Sequence, residues 1–191
     1  MPRTQRPLQP TVDVRDAEPG EFGRIGELRV AAYQADGFLS KASSYADTLR
    51  VLGMDGTGDI LAAVDDGHIL GTVTLVTWPN GGEVLCNPGE GEVRALAVAA
   101  AARRRGIGRA LLAAVLRRAA VRDVRELLLL TQPDMHAAQH LYAEIGFRRL
   151  PHRDYEYAPG HRLLAFGMPL TQAKGQGHVV KGWVGSSRCR C

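Results

Sequence analysis

Disulfide chemistry has little to work with in this chain. Its 191 residues hold three cysteines, Cys86, Cys189 and Cys191. That odd number, with no C-x-x-C spacing, argues against a disulfide framework and favours a reducing, cytoplasmic setting. No apolar run approaches the ~18 residues of a membrane span. The opening MPRTQRPLQPT lacks the apolar stretch of a signal peptide. No aromatic residues interleave with a basic face, and the formal net charge is only +4. Both facts speak against nucleic acid and membrane as partners, whereas a small polyanion such as a nucleotide or phosphate ester suits that charge. What remains is globular, with 45% hydrophobic and 23% charged residues in a length suited to one core.

Residues 1–10 read as a flexible leader, 11–170 as the folded domain, and 171–191 as a disordered tail, basic and rich in Gly and Ser. The alternation of Thr11–Ala17 gives a strand, and Phe22, Ile25, Leu28, Val30 and Ala32 mark one face of a helix over 21–34. Ser43 and Ser44 are candidate caps for a short helix over 45–53, closed by Gly53. Two β-rich runs around Asp66-Gly67 predict a hairpin. A Gly-rich loop, 79–91, leads into a buried strand, Glu92–Val98. The helix after Gly106 turns Ile107, Leu111, Leu112, Val115 and Ala119 inward, with Arg109, Arg117, Arg118 and Arg122 outward. A strand at Glu126–Thr131, a helix from Pro133-Asp134 to Gly146, and strands at FRRLP and HRLLAFGMPL complete the pattern. The strand–helix–strand unit over 92–131 implies a parallel crossover and the hairpin an antiparallel part. The expected class is α/β, a mixed sheet with helices on both faces.

The most telling stretch is VAAAARRRGIGRALLAAVL, Val98–Leu116. Three arginines precede Gly-x-Gly at the mouth of a helix, where unpaired N–H groups and the helix dipole favour an anion. Phosphate or pyrophosphate is the natural guest. A P-loop would need Lys-Ser/Thr after the second glycine, and Arg109-Ala110 follow instead. A Rossmann fingerprint would need glycine at 111, which is Leu111.

Arg103-x-x-Gly106-x-Gly108 after LAV, with Ala138, Leu141, Tyr142, Gly146 and Phe147 some thirty residues on, resembles the GNAT superfamily of acyl-CoA-dependent N-acetyltransferases. The resemblance covers roughly residues 11–170 in element order. More narrowly, EVRALAV and TQPDMHAAQHLY resemble a group of actinobacterial GNAT proteins whose substrates are mostly undefined. It implies a GNAT fold, mostly antiparallel, with a central splayed parallel pair of strands. It also implies acetyl-CoA as cosubstrate, no metal, and a small-molecule or peptide amine as acceptor, with room for a homodimer. The strand end Leu96-Ala97-Val98 would bind the pantetheine arm through its backbone. The amides of Arg104, Arg105, Gly106, Ile107, Gly108, Arg109 and Ala110, with the Arg103 side chain, would hold the pyrophosphate. Tyr142 would be the general acid, and Glu92 aligns with the base of the histone-acetylating branch. Met135 departs from the family, where asparagine often contacts the cofactor arm.

An ammonium of pKa near ~10 must lose a proton before it attacks a thioester, so a positioned base helps. Glu92 fits that role, with a strand-end carboxylate paired to Arg94 as the plain alternative; Glu90 and a water route compete. Tyr33, Phe38 and Tyr45 are candidates for the edge of the acceptor cleft, against ordinary packing. Asp36 and Asp47, nearby, hint at a cationic amine. His136 and His140 have zinc-ligand spacing but fall outside the apolar face, without a third ligand. Cys86 has no activating neighbour. A catalytically silent acyl-CoA-binding or sensor module is the second reading, and a nucleic-acid binder ranks last.

Overall fold

The computed structural model describes residues 12–82, 84, 85 and 87–170. The leader, the tail and all three cysteines fall outside the described residues. The main elements are β1 (Asp13–Asp16), α1 (Phe22–Ala35), α2 (Tyr45–Val51), β2 (Gly58–Asp65), β3 (His68–Thr77), β4 (Glu90–Val98), α3 (Ile107–Val121), β5 (Glu126–Thr131), α4 (His136–Ile145), β6 (Arg148–Arg149), β7 (Tyr155–Ala158) and β8 (His161–Pro169). The strands pair in the order β1-β2-β3-β4-β5-β8-β6, with β7 on β8. Strand β4 runs parallel to β5, from Glu90↔Glu126 to Val93↔Leu129. Antiparallel pairings join β1 to β2 and β8 to β5, β6 and β7. The sheet is therefore mixed, as the alternation of strand and helix patterns implies.

Contacts divide the chain into two compact units, 1–74 with 95–115 and 75–94 with 116–191. In the first, Ile25, Ile60 and Ala62 form one buried cluster and Val30, Leu39, Ala46, Leu49 and Ala95 another. Asp66 and Gly67 both adopt positive φ, 48° and 73°, the geometry of a tight hairpin turn matched to strand twist. Arg29 is the surprise of α1: it is fully buried on the apolar face. Its guanidinium donates to the carbonyls of Leu49 (3.2 Å) and Leu52 (2.9 Å) and to Thr74 Oγ1 (2.7 Å). Desolvation lowers its pKa to about 10, so it stays charged at neutral pH and complements the carboxyl end of α2.

Helices α1 and α2 meet at Gly26, where an added Cβ would lie 2.6 Å from Arg50 O and 2.9 Å from Arg50 Cα. Backbone atoms cannot step aside cheaply. Gly26→Ala is therefore expected to cost about 1–3 kcal/mol, read as a lower thermal midpoint. An unchanged midpoint would show that the two helices are not held at this distance.

In the second unit Leu127, Leu128 and Leu129 of β5 are all buried, as expected for a strand covered on both faces. Helix α4 starts at His136, two residues after the expected opening, because Pro133 and Asp134 form a turn in which Met135 N donates to Gln132 O (3.1 Å). It ends where Gly146 adopts φ 116° and Phe147 N donates back to Tyr142 O (3.0 Å), a Schellman-type stop that glycine makes cheap. Of the strand expected at FRRLP only Arg148–Arg149 is strand, and Pro151–Arg153 is a 3-10 turn. Helix α2 likewise stops at Val51, before Gly53 with φ 77°.

Candidate active site

The anion-binding candidate lies in the first unit. Pairing of β4 to β5 stops at Val93, and Ala95, two residues on, has φ 49°. A positive φ inside a strand marks a bulge, which ends regular pairing and re-aims the chain. Beyond it Leu96 and Val98 are half-buried and Ala97 is buried, and Ala99 N donates to Leu70 O (2.8 Å). The register with β5 therefore does not extend to the backbone of Leu96–Val98.

A 3-10 turn at Ala100–Ala102 then leads into the Arg-Gly loop. Arg104 has φ 60° and Gly106 φ 78°, so the loop reverses twice before α3 begins. Only glycine takes that conformation at little cost. Ala110 N donates to Gly106 O (3.0 Å). The amides of Ile107 and Gly108 precede it, in the first turn, where helix geometry offers no acceptor. The side chains divide the work. Arg103 donates to Asp36 (2.6 Å) and to the carbonyl of Ala32 (3.4 Å), and Arg105 donates to Asp65 (2.7 Å). Arg104 is exposed. Two arginines thus hold the loop in place.

The acid–base candidates lie in the second unit. Glu92 is buried at 2% exposure, with Oε1 3.8 Å from Arg94 Nε. Gly82, with φ 123°, sits so close that an added Cβ would collide with the Glu92 carboxylate. Glu90 is also buried but is engaged differently. It accepts from Arg153 Nη1 (3.1 Å) and Nη2 (3.0 Å), and from Asn87 N (3.2 Å) and Nδ2 (2.8 Å). Glu90 is thus held by a guanidinium and an amide, and Glu92 lies beside Arg94, the pairing given as its plain alternative.

Tyr142 is buried at 7% exposure on α4. Its ring meets Phe147 edge-on (6.0 Å between centroids) and Phe166 (6.4 Å). These contacts, with the Gly146 stop, fix the ring. They are the physical content of the Leu-Tyr-x-x-x-Gly-Phe pattern. Burial pushes the phenol up to about 12, so it holds its proton throughout the neutral range.

Of the acceptor-side candidates, Tyr33 packs against the cluster of Val30, Leu39, Ala46, Leu49 and Ala95. Phe38 N donates to Tyr33 O (2.9 Å), and Tyr45 is 40% exposed. His136 and His140 are exposed, and His140 contacts Glu144 at 3.1 Å. No metal-binding cluster of three or more His, Cys, Asp or Glu occurs among the described residues. No helix among them is long and apolar enough to cross a membrane. Sequence reasoning did not find Arg153, which lies in no motif, nor the bulge at Ala95, since alanine carries no turn signal.

The mixed sheet, the bulged parallel strand and the Arg-Gly helix start together define an acyltransferase fold. The family model for the acetyltransferase (GNAT) family matches residues 25–147, more than half of the chain, and the protein belongs to that family. A GCN5-related N-acetyltransferase from Kribbella flavida is 25% identical, with 83% of this chain and 98% of that one covered and a TM-score of 0.64. The PaiA N-acetyltransferase from Thermoplasma acidophilum, in complex with coenzyme A, is 13% identical over 84% of this chain and 99% of that one, with a TM-score of 0.67. A Salmonella typhimurium protein with its cofactor acetyl-CoA is 16% identical over 88% and 99%, with a TM-score of 0.62. No curated protein matches the sequence.

Proposed function

We propose that this protein transfers an acetyl group from acetyl-CoA to a primary amine by direct transfer in a ternary complex. The observation that carries the reading is the start of α3, where the loop's reversals at Arg104 and Gly106 present the first-turn amides of a 15-residue helix. Such an end binds a pyrophosphate without any change in the backbone. The amides of residues 104–108 hold the pyrophosphate, while that of Ala110, also expected to take part, is given to Gly106 O; the exposed Arg104 adds charge, and Arg103 acts chiefly by tying the loop to α1. The backbone of Leu96–Val98 takes the pantetheine arm. Coenzyme A bound to one similar structure and acetyl-CoA to another support the choice of cofactor. When bound, acetyl-CoA supplies the thioester that the amine attacks, with the C–S bond broken as the N–C bond forms.

Glu92 takes the ammonium proton. At 2% exposure it does so through a relayed water, which general-base catalysis permits. Tyr142 gives a hydrogen bond to the departing thiolate. A phenol near 12 is a weaker acid than a thiol of ~8.5, so it stabilises the leaving group more than it protonates it. Tyr142→Phe is therefore expected to lower turnover by about 10–100-fold, the scale of one hydrogen bond to a charged group, with acetyl-CoA affinity unchanged. Wild-type turnover in that variant would remove Tyr142 from the mechanism.

Calorimetric titration of the full chain with acetyl-CoA tests the cofactor assignment. Saturable one-to-one binding is expected, with an affinity that desulfo-CoA shares because the loop reads the pyrophosphate. Absence of binding overturns the reading.

A further inference from the structure

Arg104 sits in the left-handed region at φ 60°, a conformation that strains any residue with a Cβ and persists only where the surroundings fix the backbone around it. Its two neighbours do that fixing. Arg103 Nη1 donates to Asp36 Oδ1 (2.6 Å) and Nη2 to Ala32 O (3.4 Å), while Arg105 Nη2 donates to Asp65 Oδ2 (2.7 Å). The aspartates come from separate elements: Asp36 follows the last residue of α1, and Asp65 is the last residue of β2. A helix C-terminus disfavours a carboxylate, and at Asp36 the Arg103 guanidinium is the cation that offsets this. The four side chains keep between 29% and 38% of their surface exposed. Ion pairs that wet add little to the stability of a fold. Their effect falls on the shape of the loop.

We propose that Asp36 and Asp65 are positioning residues for the cofactor: by holding Arg103 and Arg105 on either side of the strained Arg104, they keep the helix-start amides arranged for an anion. This deepens the assignment of the loop to the pyrophosphate and rests on it. The sign of the effect sets it apart from simple electrostatics. A carboxylate near an anion site repels the anion, so its removal would by charge alone strengthen binding. Removal of a carboxylate that holds the loop weakens binding, because the loop must then be ordered when the ligand arrives.

The test is calorimetric titration of the full chain with acetyl-CoA in the wild type, D36A, D65A and D66N, with each apo thermal midpoint as control. Asp66 carries the same charge one residue from Asp65, but its side chain makes no bond to the loop among the described residues. D36A and D65A are each expected to bind about 2–5-fold more weakly, the scale of an exposed ion pair, with midpoints unmoved. D66N is expected to bind as tightly as the wild type or more so. The double variant R103M/D36A is expected to bind no more weakly than R103M alone, since the two side chains act as one unit. Wild-type or tighter binding in D36A or D65A overturns the proposal. So does a loss in D66N equal to that in D65A, or a double-variant loss equal to the product of the single losses. Absence of binding in the wild type overturns the pyrophosphate assignment together with this inference, whereas a failed pattern among variants of a wild type that binds overturns this inference alone.

Discussion

Glu92→Gln is expected to lower turnover by roughly 10²–10⁴-fold at neutral pH, the usual contribution of a positioned general base. An alkyl ammonium with a pKa of ~10.4 is deprotonated in only about one molecule in 2,500 at pH 7, and a carboxylate acting as base would make up this deficit. The loss should therefore shrink as pH rises and the amine deprotonates unaided. Acetyl-CoA affinity should stay at the wild-type value, since Glu92 precedes by four residues the Leu96–Val98 stretch proposed to take the pantetheine arm. The pH dependence separates chemistry from damage, because a misfolded variant would lose activity at every pH. Full activity of E92Q across about pH 6–9 would pass the base role to water, because Glu90 is already committed to Arg153 and Asn87.

Gly108→Val should abolish measurable acetyl-CoA binding while the fold survives. Gly108 is the second residue of α3, and its amide must come within hydrogen-bonding distance of an anion. An isopropyl group there occupies the approach and holds the ligand off neighbouring amides too. Loss of two charge-assisted hydrogen bonds at ~1.5–3 kcal/mol each corresponds to a fall of about 10²–10⁴-fold. Calorimetry at matched concentrations, with the thermal midpoint of the apo protein as control, reads the effect. Wild-type affinity in G108V would move the pyrophosphate away from this helix start.

Much of this could be read from the sequence, and the reasons are specific. The α3 inward face was legible because Ile107, Leu111, Leu112, Val115 and Ala119 keep helical spacing, and all five are buried. The Asp66-Gly67 turn was legible because few residue pairs tolerate two positive φ values in succession. Strand β7, Tyr155–Ala158, was not: its four residues, Tyr-Glu-Tyr-Ala, are too few to establish a period, and its partner β8 lies across a turn. Arg29 was hidden because a charged residue on an apolar face reads as an interruption, until the carbonyls of α2 explain it. The Arg153–Glu90 clasp was hidden for a plainer reason. Its partners stand 63 positions apart, and no local pattern encodes a pairing of that range.

A coupled assay of CoA-thiol release tests the central claim most directly. The purified full-length chain is given acetyl-CoA with a panel of amines: a polyamine, an aminoglycoside, free amino acids and peptides with free N-termini. Product is analysed by mass spectrometry. An acetyltransferase must release CoA in step with an acetylated product for at least one amine, and both signals must fall together in E92Q. Saturable acetyl-CoA binding, with no amine-dependent CoA release from any member of the panel, would contradict catalysis and leave a silent acyl-CoA-binding module.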